Sequence, residues 1–437
     1  MVKMKKGTFN IVFSLSLLLV FMTLIPISQS QTYYQTYFWI TETGTPLSAV
    51  EVTGDLDSDH VQLSEIVVCG RGNISLIDGF DGTTLGNYSV SPTITYNALA
   101  TGNLDADAFN EIVAGSQNAN LLTAIKYTPA SDNLSLMWEV NYNVTQVQIA
   151  DITGNSVNEV VVGDALGNLT VLFNNSTVLW SYNLTQPVEN FQCVDLTQDN
   201  IIDGIIVLTD SLVTLLNITG VQRWQVGVAS KPLNVIIGDI METSGFEIIV
   251  KGEQITNTFA QNGTVLWNST SYTSNSSAII LHDYLGGSYP EILIGINNGS
   301  FFLNGTDGSV LKSYLTHSSV SALGISNFFG ETANYLMMGD YASNLTLWKL
   351  DGTYLYNVTL TGAVLDILLI DMNADGILDI VTASSNGTIY VIGLPWLIDF
   401  NWVFVGIGIA CGIIIVSILI IYYQKKTPQT VDLTKTN

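Results

Sequence analysis

The sequence predicts an all-β protein, an eight-bladed propeller, and three observations carry that prediction. A short acidic turn between two apolar runs recurs along the middle of the chain, starting at Asp55, Asn103, Asp151, Asp195, Asp239, Asp283, Asn327 and Asp371. The spacings are 48, 48, and then 44 five times. A fixed period of this size marks a propeller or solenoid. Each period also divides into four short β-branched and aromatic runs punctuated by Gly, Asn and Asp. No middle segment carries a helical hydrophobic period of useful length.

The third period shows the division. Gln146–Ala150 enters the acidic turn and Glu159–Val162 leaves it. Leu169–Phe173 follows a Gly-Asn turn, and Val178–Asn183 ends the unit. Four strands per period is a propeller blade. The eighth period supplies only three strands, Ile367–Ile370, Ile380–Ala383 and Thr388–Ile392, before Pro395. An unassigned run, Tyr34–Thr43, precedes the first period. It is expected to complete the last blade, so that the two ends of the domain latch an eight-bladed ring. Seven blades with one degenerate repeat is the alternative.

The ends have their own character. Lys3, Lys5 and Lys6 precede an apolar run from Ile11 to Ile27, and Ser28-Gln29-Ser30 follows. That pattern reads as an export signal over 1–30, cleaved near Gln31, with an uncleaved anchor as the alternative. The propeller then occupies 31–394 and a linker 395–401. Trp402 to Tyr423 carries no charge and would span about 33 Å as a helix. Trp402 lies at one edge, and Tyr422 and Tyr423, with Lys425-Lys426 beyond, lie at the other. Aromatic edges followed by lysines predict a single-pass anchor with the tail, 424–437, in the cytoplasm and the propeller outside the cell. Gly408 and Gly412 offer a GxxxG face through which the anchor could pair as a homodimer.

The middle region holds only Arg71, Lys126, Arg223, Lys231, Lys251, Lys312 and Lys349 against 36 acids, a net charge of −29. Such a surface repels nucleic acid and suits cations or basic partners. It also simply keeps an exported chain soluble. Of the three cysteines, Cys411 lies in the apolar tail segment, and Cys69 and Cys193 fall in different repeats. No disulfide is expected. Asn-x-Ser/Thr sequons are dense: Asn73, Asn87, Asn133, Asn143, Asn168, Asn183, Asn217, Asn262, Asn268, Asn304, Asn344, Asn357 and Asn386 are among them. In an exported chain they are candidate glycan sites, expected on loops.

The acidic turns carry the candidate metal sites. In the last turn Asp371, Asn373, Asp375 and Asp379 stand at positions 1, 3, 5 and 9, with Gly376 between them and the Ile377 carbonyl as a further ligand. Oxygens so spaced can converge on one hard cation, which is Ca²⁺ chemistry. Asn103, Asp105, Asp107 and Glu111 repeat the set. Asp55, Asp57 and Asp59 do so in part, with Glu65 two places late. Asp195, Thr197, Asp199 and Asp203 form a further candidate set, as do Asp151, Thr153, Asn155 and Glu159. The turns at Asp239, Asp283 and Asn327 put apolar residues or glycine at ligand positions and read as metal-free. The competing reading is that Asp and Asn favour tight turns by bonding their own backbone.

A strand, a D-x-D-x-D-G-x-x-D-like turn and a second apolar strand resemble the FG-GAP, or VCBS-type, repeats of the integrin α-subunit propeller. The resemblance implies calcium in turns on one face, ligand binding on the other, and no catalysis. The phenylalanyl-glycyl and glycyl-alanyl-prolyl signatures are not cleanly present. A second resemblance rests on Trp138, Trp180, Trp224 and Trp267 at outer-strand positions. It is similar to the tryptophan-bearing blades of eight-bladed quinoprotein-like propellers. No vicinal cysteine pair accompanies it, and tryptophans at fixed blade positions are expected to pack between blades.

Strand direction adds one more expectation. The third strand of a blade ends on the face that bears the acidic turns, so both chain ends should leave there and the turns should face the membrane. The opposite face carries Arg71–Asn73, Asp164–Asn168, Lys231-Pro232, Asn297–Gly299, His317–Ser319 and Tyr341–Asn344. Loops on a rigid scaffold usually hold the binding site. The expected function is therefore a calcium-stabilised, non-catalytic surface module for adhesion to a protein or glycan ligand. A quinoprotein-like enzyme and a structural envelope component are the alternatives. His60, His282 and His317 sit in no nucleophile or metal-ligand motif.

Overall fold

The ring predicted from the period is present, and it has eight blades. The computed structural model describes residues 36–393, apart from 57–63, 106, 108, 243–244, 284, 327–333 and 374–375. The expected signal segment, linker, membrane helix with its GxxxG face, and tail lie outside the described residues. So do Asp57, Asp59, Asp375 and the turn that opens at Asn327. Among the described residues no helix is long and apolar enough to cross a membrane.

Eight four-stranded antiparallel sheets follow one another. Blade 1 spans 47–89, blade 2 98–140, blade 3 144–183 and blade 4 190–227. Blade 5 spans 232–268, blade 6 279–315 and blade 7 320–359. Blade 8 takes three strands from 364–393, and Thr36–Glu42 supplies the fourth. The register of that closing pair runs from Thr36↔Gly393 to Glu42↔Thr388. The ring is thus closed by hydrogen bonds between residues more than 340 positions apart, such as Thr43 N to Gly387 O at 2.8 Å. The same pairing puts the two ends of the domain side by side on the acidic-turn face.

Burial explains why the strands read as they do. First strands touch the first strands of neighbouring blades and line the ring axis. They alternate irregularly between buried and half-buried, as in Val144–Ala150. Second strands, such as Glu159–Asp164 and Glu247–Gly252, are buried at every position. A sheet face lies on each side of them, so the sequence shows continuous apolar runs there and no alternation. Fourth strands alternate again, because one face is open to solvent. The apolar clusters join adjacent blades: Val144, Val147, Val160 and Val162 of blade 3 pack with Val113, Leu122 and Ala124 of blade 2.

The tryptophans are latches between blades. Trp138 Nε1 donates to Asn174 O (2.7 Å), Trp180 to Ile218 O (2.9 Å), Trp224 to Gln261 O (2.7 Å) and Trp267 to Gly305 O (2.8 Å). Each acceptor lies in the turn between the third and fourth strands of the following blade. Trp39 makes the same bond from the closing strand to Gly79 O (3.1 Å), across the seam of the ring. Lys312 takes this role in blade 6, donating to Leu350 O at 2.7 Å. A left-handed glycine receives the indole in several of these turns. Gly263 has φ +84°, and a Cβ there would stand 2.8 Å from the Trp224 ring. Among the described residues Cys69 and Cys193 are free. Several sequons expected on loops lie in strands instead, among them Asn87 and Asn357.

Candidate functional site

Each acidic turn begins as a first strand ends and closes as a second strand begins, so all its side chains start within one hairpin. The apolar residue at position 2 turns inward. Leu56, Leu104, Ile152, Leu196, Ile240 and Met372 are all essentially buried. Its backbone N–H goes inward with it and needs an acceptor. The acid at the start of the second strand provides one. Leu104 N donates to Glu111 Oε2 (2.6 Å), Ile152 N to Glu159 Oε2 (2.9 Å) and Leu196 N to Asp203 Oδ2 (2.8 Å). Met372 N donates to Asp379 Oδ2 (2.9 Å) and Leu56 N to Glu65 Oε2 (2.7 Å).

The sequence offers Glu111, Glu159, Asp203 and Asp379 as metal ligands, with backbone bonding by turn Asp and Asn as the competing reading, and does not show this clamp on the position 2 amide. The signal was present. The turns at Asp239 and Asp283 put Met241 and Leu285 at the third position yet keep Glu247 and Glu291. Glu247 accepts from Ile240 N at 3.0 Å, and Glu291 accepts from the third-position Leu285 N at 3.2 Å. Glu65, two places late in the sequence, makes the same bond through a longer loop.

In the turns at Asp151, Asp195, Asp283 and Asp371 the first carboxylate is engaged by the turn's own amides. Asp195 Oδ1 accepts from the amides of Thr197, Gln198 and Asp199, and Oδ2 from Asn200 N at 2.7 Å. Asp151 accepts from Asn155 N and Ser156 N. Asp371 accepts from Asn373 N (3.3 Å) and Gly376 N (2.7 Å). Gly376 has φ +83°, the left-handed conformation its place in the turn demands. Thr153 and Thr197 donate their hydroxyls back to Glu159 and Asp203, while Asn155 and Asp199 each cap the amide two residues on.

Among the described residues one group of three acids converges: the carboxylate oxygens of Asp105, Asp107 and Glu111 lie within 4.8 Å of one another. Asn103 closes the same turn, its Nδ2 donating to Asp107 O. A cation already sits there, and the chain supplies it. Lys126 Nζ bonds both Asp105 and Asp107 and lies 3.8 Å from Glu111 Oε1. The strand register explains the meeting. Ile112 pairs with Ile125, so Glu111 and Lys126 occupy the next rung. The hydrogen bond from Lys126 holds the Asp107 carboxyl below its ordinary range. Burial pushes Glu111 the other way, and its carboxylate neighbours add to that. Glu111 Oε1 is buried and has no hydrogen-bond partner. The Asp371 set includes Asp375, which lies outside the described residues; the convergence seen among the described residues is at Asn103.

The ring axis holds a cavity of about 690 Å³ lined by first strands, with Asn97, Gln146, Gln148 and Gln192 among its polar walls. Glu51 and Asp366 face it from blades 1 and 8. Burial raises Glu51 to about 7, with the Asp366 charge adding to the rise, and burial also raises Asp366.

On the opposite face Lys231 bridges Glu189 (2.9 Å) and Asp210 (3.1 Å) across blades 4 and 5. Ser319 Oγ reaches Asn275 Oδ1 at 2.6 Å. Leu166, Leu315 and Tyr341 stand exposed there, at 69%, 63% and 49%. His282 lies elsewhere, beside Asn334 and Phe302, and burial lowers its pKa.

No known protein family matches the chain. No curated protein matches it either. Solved structures do resemble it. BamB from Moraxella catarrhalis is 14% identical, with a TM-score of 0.57 over 83% of this chain and 98% of that one. Sqt1 from Saccharomyces cerevisiae is 12% identical, with a TM-score of 0.63 over 83% and 98%. Sqt1 from Chaetomium thermophilum is 12% identical, with a TM-score of 0.59 over 82% and 99%. At such identities the likeness concerns the propeller fold.

Proposed function

We propose that this chain is a membrane-anchored surface protein whose propeller binds an extracellular protein or glycan through the face opposite the acidic turns, without catalysis. The observation that carries the reading is the pairing of Thr36 with Gly393. Both flanking segments leave from the acidic-turn face, and the uncharged stretch 402–423 is one of them. An anchor there would turn the acidic face to the membrane and leave the opposite face free. The exposed Leu166, Leu315 and Tyr341 lie on that free face, where a partner would cover them. The tryptophans behind the quinoprotein-like resemblance serve as latches, which favours a scaffold over a cofactor platform.

Calcium belongs to the proposal as a structural ion. At the Asn103 turn the donor set fits a hard cation: two exposed carboxylates, and a buried carboxylate oxygen left without a hydrogen bond. Lys126 is its competitor. Calorimetric titration of the propeller with calcium tests this part. Lys126→Gln should gain affinity at least tenfold over the parent, because the ammonium no longer has to leave. Equal affinity in the two proteins would sink the assignment of that turn.

Protease treatment of intact cells tests the orientation. The propeller should be cut from outside while an epitope on the tail survives. A propeller that resists until the cells are lysed would refute the reading.

A further inference from the structure

Two kinds of sequon stand out once they are placed in the fold. Some are explained by turn chemistry. Asn217 Oδ1 accepts from Thr219 N (3.0 Å) and the Thr219 hydroxyl (2.9 Å), and Asn304 Oδ1 accepts from Thr306 N and its hydroxyl in the same way. Asn175 repeats the pattern with Thr177. In these turns between third and fourth strands, Asn-x-Thr is the side chain–backbone motif a tight turn favours. Asn217 and Asn304 are half-buried, and Asn175 is exposed.

Three other sequons have no turn to build. Asn87, Asn268 and Asn357 lie on the outermost strands of blades 1, 5 and 7. They occupy one structural position, just beyond the bulge that each outer strand makes, opposite Ser75, Asn257 and Thr346 respectively. All three are exposed. Each side chain is held from the strand beneath by a second asparagine. Asn73 Nδ2 donates to Asn87 Oδ1 (3.1 Å), and Asn257 Nδ2 to Asn268 Oδ1 (2.6 Å). Asn357 Nδ2 gives one hydrogen to Asn344 Oδ1 (3.2 Å). Ser75 Oγ adds a second bond to Asn87 Oδ1 at 2.7 Å. The amide oxygens of Asn87 and Asn268 are thereby tied down, and their nitrogens are directed to solvent. A substituted amide nitrogen keeps one hydrogen, so the Asn357–Asn344 bond survives substitution too.

We propose that Asn87, Asn268 and Asn357 carry N-linked glycans, set on the outer rim, and that the turn sequons Asn217 and Asn304 do not. In the transfer, Nδ2 bonds to the anomeric carbon of a sugar donated by a lipid-linked oligosaccharide phosphate. The bond from that carbon to the phosphate breaks, the lipid phosphate leaves with the electron pair, and the amide loses one proton. The inference rests on the export reading above, since the donor and its transferase act on exported chains.

The test is a peptide mass map of the full-length protein purified from its own cells, alongside protease treatment of those cells. The expected result is a sugar-mass increment on the Asn87, Asn268 and Asn357 peptides and unmodified masses at Asn217 and Asn304. Unmodified rim peptides in a protein that external protease digests would overturn the glycan inference alone. Modification of the turn sequons to the same extent would overturn the distinction drawn here. A propeller protected from external protease would remove the export reading and the glycans together.

Discussion

Lys251 offers the sharpest test of how the blades are packed. It lies on the second strand of blade 5 and is 0% exposed. Its Nζ donates to Ser274 Oγ (2.9 Å) and to Ser276 O in the segment that leads to blade 6, and it sits 5.9 Å from the centre of the Tyr272 ring. These partners are a hydroxyl, a carbonyl and a ring face, none of which neutralises an ammonium. Burial alone pulls the Lys251 pKa down to about 7. In the unfolded chain the same group titrates near 10.4. Between those values the unfolded chain holds a proton that the folded chain lacks, so stability rises with pH across that window. The penalty is complete below pH 7 and is relieved as pH climbs toward the unfolded value. Each pH unit of full difference is worth about 1.4 kcal/mol. Folded Lys251 is about half-titrated near pH 7, so the gain from pH 7 to pH 9 comes to about 2 kcal/mol. Lys251→Met removes this term and keeps the stem. Urea unfolding of both proteins at pH 7, 8 and 9 isolates it, because every other titrating group is common to the two. The parent should gain about 2 kcal/mol relative to the variant over that range. Parallel profiles would mean that Lys251 stays charged in the fold and that the blade 5–6 seam admits water.

Two further perturbations address the turns and the latches. Glu247→Ala strips the acceptor from the buried Ile240 N–H and should cost about 1–3 kcal/mol. Denaturant unfolding should give that loss equally in calcium and in chelator, since this turn has Met241 where a third-position ligand would stand; a loss seen only with calcium would refute the clamp. Trp224→Phe forfeits the bond to Gln261 O and should cost about 1 kcal/mol. Gly263→Ala forces a side chain into φ +84° against the same indole and should cost about 1–3 kcal/mol. Because both act on one latch, the double variant should lose less than the sum. Strict additivity in unfolding measurements would show that ring and glycine are not coupled.

The candidate metal sites were legible in one respect and hidden in another. Alternate oxygens at Asn103, Asp105, Asp107 and Glu111 could be read from spacing, because a hairpin turn brings residues a few positions apart together whatever surrounds them. Lys126 could not be read that way. Its arrival beside Glu111 depends on the register of the second and third strands, with Ile112 opposite Ile125. The clamp role of Glu159 and Asp203 was hidden for a related reason. Whether an acid faces a cation or a backbone N–H depends on how deeply Ile152 and Leu196 sink between blades.

The order of strands and the closing of blade 8 by the run Tyr34–Thr43 followed from the sequence alone, and so did eight blades, with seven as the alternative. A four-strand unit repeated with a constant period can bury its apolar faces only against copies of itself, so periodicity carries the architecture. What only the tertiary structure decided was which partner each side chain meets: the Gln261 carbonyl that takes the Trp224 indole in the next blade, the three acids of its own blade that surround the Lys126 ammonium, and the seat of Lys251 between blades 5 and 6. The first and last depend on the distances at which two separately formed sheets come to rest, and the second on strand register within blade 2. Side-chain volume, register and the satisfaction of buried polar groups fix such distances jointly, and no local pattern of residues encodes them.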